Sequence, residues 1–354
     1  MISLELLGFG PYFSAQYSQL NRPDLVPARI AADGRDSFPL RGCRASLGEL
    51  SGRLRHQLKP LGRPVVGDWV AVADGVERAV IHHVFERRTA LIRRAAGKAG
   101  GGQVVAANVD LFLIVTAADR DFNLRRLERY LTAVWDSGAA PVVVLNKIDL
   151  GGIDALTQAI DSVALGVPAV LVSARTGDGT DALRAHLCRG TTVAFVGSSG
   201  VGKSSLINRL LGGEVQSTKS LRKDGRGRHA TTRRELIVLP GGGILIDTPG
   251  MREFGLIEDT GGIDAGFADI AALAEQCRFS DCGHEGEPGC AVEATVAAGE
   301  LDAARLAGYL KLQREIAAAE RRRDPALAGR AKRRWKSIHK AYRARSKIDP
   351  KLKH

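Results

Sequence analysis

No stretch of this sequence is apolar for long enough to cross a membrane. A spanning helix needs about 20 such residues, and the apolar runs here have the length of strands. The opening residues carry no basic head and reach an acid already at Glu5, so the layout of a secretory signal is missing. Together these absences give the expectation of a cytoplasmic chain that meets no membrane. None of the five cysteines forms a Cys-x-x-Cys pair, which argues against a redox motif. Positive charge is also absent as an excess over most of the length. The net charge is +12, but residues 321–354 hold 14 lysines and arginines against Asp324 and Asp349. The tail therefore carries the whole excess, and the remainder is balanced. A basic block of this kind favours a polyanion such as RNA, because neutralised phosphates release counterions. It also reads as a solvated tail.

What is present is a globular composition, 44% hydrophobic and 25% charged, over 354 residues, enough for two or three domains. Residues 25–97 hold short alternating runs separated by Gly, Pro and Asp, the pattern of a small antiparallel β domain or barrel. Alternation makes Trp69 a core residue rather than a platform for a base. Residues 97–102 are glycine-rich and read as a linker or loop. From Asp110 the pattern changes to buried strands (111–115, 142–145, 169–172, 193–196, 244–246) alternating with helical stretches such as 124–135 and 181–187. This is an α/β sheet whose ligand belongs at the carboxyl ends of its strands. Cys43 and Cys188 stand alone and are expected to be small packed residues.

Gly197-Ser198-Ser199-Gly200-Val201-Gly202-Lys203-Ser204 fits G-x-x-x-x-G-K-[ST] between a strand and a helix-like run that starts at Ser205. Such a loop offers backbone N–H groups to phosphates, with Lys203 for the β/γ oxygens and the Ser204 hydroxyl for Mg²⁺. Asp247-Thr-Pro-Gly250 follows another apolar strand; the acid suits a Mg²⁺ site, and Gly250 lets a backbone N–H approach a γ-phosphate. Asn146-Lys147-Ile148-Asp149 supplies base choice. A carboxylate at Asp149 accepts from the N1–H and 2-amino group of guanine, donors that adenine lacks at that edge. Asn146 would tie the base loop to the phosphate loop, the Lys147 stem would cover the base, and Ser173-Ala174 supplies a turn for guanine O6. These guanine segments precede the phosphate loop, whereas in the usual GTPase order the phosphate loop leads. Residues 217–232 form a basic, non-periodic switch-like loop in which Thr231 or Thr232 supplies a second hydroxyl for Mg²⁺. After Asp-x-x-Gly the chain has Met251, which cannot orient a water as the Gln of Ras-type enzymes does. His229 is the nearest candidate to complete the site, or else it is a solvent-facing residue.

Cys277, Cys282, His284 and Cys290 offer three thiolates and an imidazole, a closed set for one structural Zn²⁺. Beyond them Leu306, Tyr309, Leu310 and Ala317 fall near one helical face. In the tail Trp335, Ile338 and Tyr342 fall at i, i+3 and i+7 among lysines and arginines; one reading has this stripe dock on a neighbouring domain, which is compatible with phosphate contact by the surrounding cations.

These segments, with Gly225-Arg-Gly-Arg-His229, together resemble the bacterial small-subunit-dependent GTPases, a circularly permuted family of late 30S assembly. The resemblance spans essentially the whole chain. It implies residues 1–24 as an N-terminal extension, 25–97 as an OB-fold-like domain, 98–256 as the permuted GTPase core and 257–354 as a zinc-binding, mostly helical domain with a basic tail. It further implies binding of GTP and GDP, contact with the 30S subunit and its 16S rRNA, hydrolysis stimulated by that subunit, a catalytic role for His229, and a monomer. Ala230 departs from the family, which often has Thr there; Thr231 and Thr232 remain. Two other functions stay open: a GTP-regulated RNA-binding scaffold with little hydrolysis, and a permuted GTPase of the large subunit.

Overall fold

The computed structural model describes residues 2–94, 102–212, 234–247 and 262–323. Helix α1 (Pro11–Leu20) precedes a closed barrel of β1 (Val26–Ile30), β2 (Ser37–Arg41), β3 (Leu47–Leu50), β4 (Trp69–Ala73) and β5 (Arg78–Val84), with α2 (Gly52–Gln57) after β3. The order round the barrel is β1-β2-β3-β5-β4, with β3 and β5 parallel and every other pair antiparallel. Alternation decides which residues fill it: Val70 and Val72 point into the barrel core, while Trp69 and Ala71 face outward into a second cluster. Trp69 is a fully buried core residue, with the Phe9 ring edge-on at 4.8 Å and Phe13 at 5.9 Å. The barrel's outer wall is thus lined by the N-terminal segment. Cys43 packs partly against the barrel core as expected, but Cys188 is exposed, in the surface turn between Arg184 and Thr192.

A hairpin of β6 (Ala90–Arg94) and β7 (Gly102–Ala107) leads to the sheet; residues 97–101 of the glycine-rich stretch lie outside the described residues. The sheet then forms from β8 (Leu111–Ala117), α3 (Leu124–Asp136), β9 (Ala140–Asn146), α4 (Ile153–Val163), β10 (Ala169–Leu171), α5 (Thr180–Arg184), β11 (Thr192–Val196), α6 (Lys203–Leu211), β12 (Glu235–Val238) and β13 (Ile244–Asp247). Strand order is β10-β9-β8-β11-β13-β12; the first five run parallel, and β12 is an antiparallel edge. Along β8, Phe112 and Ile114 enter one core and Leu113 and Val115 the other, so helices must cover both faces. α3 starts where Asn123 accepts a hydrogen bond from the Arg126 N–H at 3.0 Å, and it buries Leu127, Tyr130, Leu131 and Val134 on one stripe. All five parallel strands end on one side, which sets the position of every loop considered below.

Two joints hold the barrel to the sheet. Arg29 of β1 is 1% exposed and donates to the carbonyls of Leu7, Gly67 and Asn108 at 2.5, 3.2 and 3.2 Å, tying the N-terminal segment, barrel and sheet together. Burial pulls this guanidinium down to about 9. At the second joint, the Leu236 N–H donates to Ala31 O at 2.7 Å, Ala32 bridges Glu235, and Arg234 pairs with Asp33 at 2.7 Å. The barrel therefore covers part of the outer edge of β12.

Beyond residue 261 the described chain is helical: α7 (Gly262–Gly266), α8 (Ala268–Ala274), α9 (Ala291–Ala297) and α10 (Ala303–Arg323). α10 buries Leu306, Tyr309, Leu312 and Ile316; Ala317 is exposed, so the apolar stripe continues through Ile316 instead. Trp335, Ile338 and Tyr342 lie outside the described residues. Arg305 joins these helices to α3: it donates to Glu128 at 3.2 Å, to Asp269 at 2.5 and 2.7 Å and to Gly266 O at 3.1 Å, over the Phe267 ring at 4.8 Å. Removing one member of a buried ion network leaves the other charge unpaired. Arg305→Ala is expected to destabilise the docking of α8–α10 by about 3–5 kcal/mol, read as faster amide exchange in residues 262–323; unchanged exchange would refute the joint.

Candidate functional site

The turn after β11 is shaped by glycines where side chains have no room. Gly197 (φ +146°) backs onto the Val115 carbonyl, and Gly202 (φ +95°) sits against the Asn146 side-chain amide. A Cβ at either position would collide, so the phosphate-loop spacing has a steric cause. α6 begins at Lys203, leaving the first N–H groups of that helix without helical acceptors. Ser204 is exposed at this end. The Lys203 ammonium folds back onto the loop, donating to Gly197 O at 2.7 Å and Ser198 O at 2.5 Å. The Ser198 hydroxyl accepts from Arg126 of α3, which braces the loop from behind. The fold thus presents a cationic, N–H-rich concavity at the carboxyl edge of the sheet, suited to an anion.

Asn146, 1% exposed at the end of β9, knits two segments that are remote in sequence. Its Nδ2 donates to Val201 O at 2.7 Å in the phosphate loop, and its Oδ1 accepts the Ala174 N–H at 2.9 Å. Lys147 takes a left-handed conformation (φ +66°), and its amine meets Asp119 at 2.7 Å. Burial acts to raise the Asp119 carboxyl, but the Lys147 ammonium and the Asp121 N–H outweigh it and hold it below the ordinary range. Asp149 accepts from the Ser173 hydroxyl at 2.5 Å and from Arg175 Nε at 2.9 Å. The Ser173 bond first, and then the Arg175 guanidinium, keep this carboxyl below its usual range. Arg209 of α6 holds the turn from below, donating to Ala174 O at 2.9 Å and Arg175 O at 2.8 Å. A cleft of about 510 Å³ lies between Asn146, Lys147, Asp149, Ala174, Gly202 and Ser205, within the usual range for small-molecule sites.

Asp247 ends β13, which runs parallel to β11 in the register Ala194↔Ile246, so the acid emerges beside the phosphate loop. Gly250, His229, Thr231 and Thr232 lie outside the described residues. The structure therefore brings together Asn146, Lys147, Asp149, Ser173, Ala174, the segment Gly197 to Ser205, and Asp247.

The second cluster is Cys277, Cys282, His284 and Cys290, whose ligand atoms all lie within 4.8 Å of one another. Cys277 Sγ is 4.0 Å from Cys290 Sγ, and His284 Nδ1 is 3.7 Å and 3.4 Å from these two sulfurs. With Zn–S near 2.3 Å and Zn–N near 2.0–2.1 Å, a tetrahedral site has edges of about 3.5–3.8 Å, so the set could hold zinc. Cys290 caps α9, its Sγ accepting the Glu293 N–H at 3.4 Å. Glu287 accepts from the Gly283 and Glu285 N–H groups at 3.1 and 2.7 Å, which shapes the loop carrying Cys282 and His284.

Reading the sequence alone missed Asp119, Arg126, Arg175, Arg209 and Glu287. Arg175 had a signal, a cation directly after Ser173-Ala174, and Asp119 opens the loop that follows β8. Arg126, Arg209 and Glu287 act through tertiary contacts that no spacing rule encodes.

Residues 84–257 match the family described as RsgA GTPase. A protein of Opitutus terrae described as "Small ribosomal subunit biogenesis GTPase RsgA" is 46% identical over 98% of this chain and 99% of its own length. The crystal structure of YjeQ from Thermotoga maritima aligns with 82% of this chain and 98% of its own, with a TM-score of 0.62 at 28% identity. A second solved structure, YloQ, described as a circularly permuted GTPase, covers 84% of this chain and 96% of its own with a TM-score of 0.58; at 24% identity it speaks for the fold.

Proposed function

Since this chain belongs to the RsgA GTPase family, we propose that it hydrolyses GTP to GDP and phosphate and assists late assembly of the small ribosomal subunit, contacting 16S rRNA. The observation that supports the nucleotide reading best is Asn146, which joins the Val201 carbonyl to the Ala174 N–H and so sets Asp149 across one cleft from the phosphate loop. Guanine would lie with its N1–H and 2-amino group on Asp149, its O6 toward the Ser173-Ala174 turn and the Lys147 stem over one face. The backbone of residues 197–205 and the Lys203 ammonium would take the phosphates, with the Gly250 N–H toward the γ-phosphate. Ser204, Asp247 and either Thr231 or Thr232 offer hard oxygen ligands suited to Mg²⁺, which supplies charge neutralisation on the β and γ oxygens. Met251 leaves the water-orienting role to another group, for which His229 has suitable chemistry.

We assign residues 1–24 to an N-terminal extension, 25–97 to the barrel-bearing domain, 98–256 to the permuted core and 257–354 to the zinc-binding domain, and read the protein as a monomer. Among the described residues no helix is long and apolar enough to cross a membrane. Phosphate release from GTP, measured in buffer, with 30S subunits and with 50S subunits, tests the assignment. Stimulation of about 10-fold or more by 30S alone is expected, because a site without the usual glutamine gains most when a partner positions the group that replaces it. Binding without stimulated turnover would favour a GTP-regulated scaffold, and a response to 50S would move the function to the large subunit.

A further inference from the structure

The carboxylate that would read guanine is already engaged by this chain. One oxygen of Asp149 takes the Ser173 hydroxyl, and the other takes both Nε of Arg175 at 2.9 Å and its Nη2 at 2.5 Å. Guanine offers a carboxylate two neighbouring N–H donors on a planar ring. The Nε–H and Nη2–H of an arginine offer the same pattern on a planar, delocalised group. The Asp149 side chain is 10% exposed and that of Arg175 is 74% exposed, so the guanidinium covers the acid from the solvent side. It also lines the cleft in which a base would sit. The backbone at Arg175 is fixed independently, since its carbonyl accepts from Arg209, so the side chain can leave without disturbing the turn.

We propose that Arg175 is an internal ligand of Asp149, a stand-in for the two-donor edge of guanine that engages the acid and must be displaced when a guanine nucleotide enters. The inference rests on the guanine reading of Asp149. Arg175 is then a self-competitor that slows association and lowers affinity. An exposed ion pair sets the size of the effect at about two- to fivefold, and the effect fades as salt screens the pair. Lysine keeps the charge but lacks the planar pair of donors, so it should compete less well.

The test compares wild type, Arg175→Ala and Arg175→Lys for association of N-methylanthraniloyl-GDP and for equilibrium binding of guanosine, which has no phosphates to respond to the lost positive charge. Arg175→Ala should bind both ligands about two- to fivefold better, with Arg175→Lys between it and wild type. The advantage should shrink between low salt and about 0.5 M salt. Equal or weaker guanosine binding by Arg175→Ala, with both proteins still binding GDP, would overturn the internal-ligand role alone. If neither protein binds GDP, the guanine reading itself fails and this inference falls with it.

Discussion

Asp149→Asn is expected to lower affinity for GDP at least about 100-fold while creating measurable affinity for xanthosine diphosphate. The sign follows from donors and acceptors. A carboxylate meets the guanine edge with acceptors only, whereas an amide that turns its oxygen toward N1–H must aim its NH₂ at the 2-amino group, donor against donor. Sites built on such bonds reject a mismatched partner by large factors, because a polar group is left unpaired. Xanthine keeps N1–H but carries a carbonyl at C2, which accepts from the amide. The Ser173 bond to Asp149 constrains which way the new amide faces, since the Ser173 hydroxyl can donate to its oxygen as it does to the acid. Competition calorimetry with GDP, XDP and ADP in Mg²⁺ checks this. Retained GDP affinity with no gain for XDP would remove Asp149 from the base site, and equal competition by ADP in wild type would do the same for the cleft as a whole.

The second large effect concerns the Cys277, Cys282, His284 and Cys290 cluster. Zinc held by three thiolates and an imidazole contributes folding free energy of about 10–16 kcal/mol in small domains at neutral pH. Here His284 and Cys290 are 5% and 6% exposed, and the His284 ring lies 6.3 Å from Tyr309 of α10. Without a metal to share, these sulfur and nitrogen groups would be crowded together with no common partner. Cys290→Ser, or prolonged treatment with a strong chelator, should release close to one zinc per chain and unfold residues 275–300. α10 should then lose the packing of Tyr309 on His284 but stay tethered through Arg305, while the cleft near Asn146 keeps its nucleotide affinity within about threefold, as separate sites usually do. Metal analysis with amide exchange resolves this. A chain purified without zinc and with unchanged protection over α9 would refute it.

Much of the architecture is legible before any coordinates. Residues 111–115, 142–145 and 193–196 read as buried strands because both faces of their sheet are covered, which turns each into a continuous apolar run. The glycine spacing of the phosphate loop is legible for a steric reason: Asn146 and the Val115 carbonyl leave no space for a Cβ. β12 is less visible. Its four residues follow a basic stretch of sequence, and its position depends on β13 on one side and Ala31–Asp33 on the other. The hairpin of β6 and β7 is hidden in sequence by the glycines between its strands. Arg305 looks like one more helical cation until Glu128 and Asp269 arrive from 177 and 36 residues away. Arg175 is obscured by the same kind of gap, since its partner Asp149 lies 26 residues earlier. Pattern reading finds what a segment does with its neighbours in sequence; ion pairs between segments depend on the finished fold.

The seating of β12 against the barrel has one more consequence. β12 is the last strand of the sheet, and a terminal strand exposes backbone donors and acceptors that can recruit strands from other molecules. The Ala31 carbonyl and the bridge between Ala32 and Glu235 occupy part of that rim. The barrel thereby shields part of this rim, and a truncated protein lacking residues 1–84 is expected to bare it to strands of other copies.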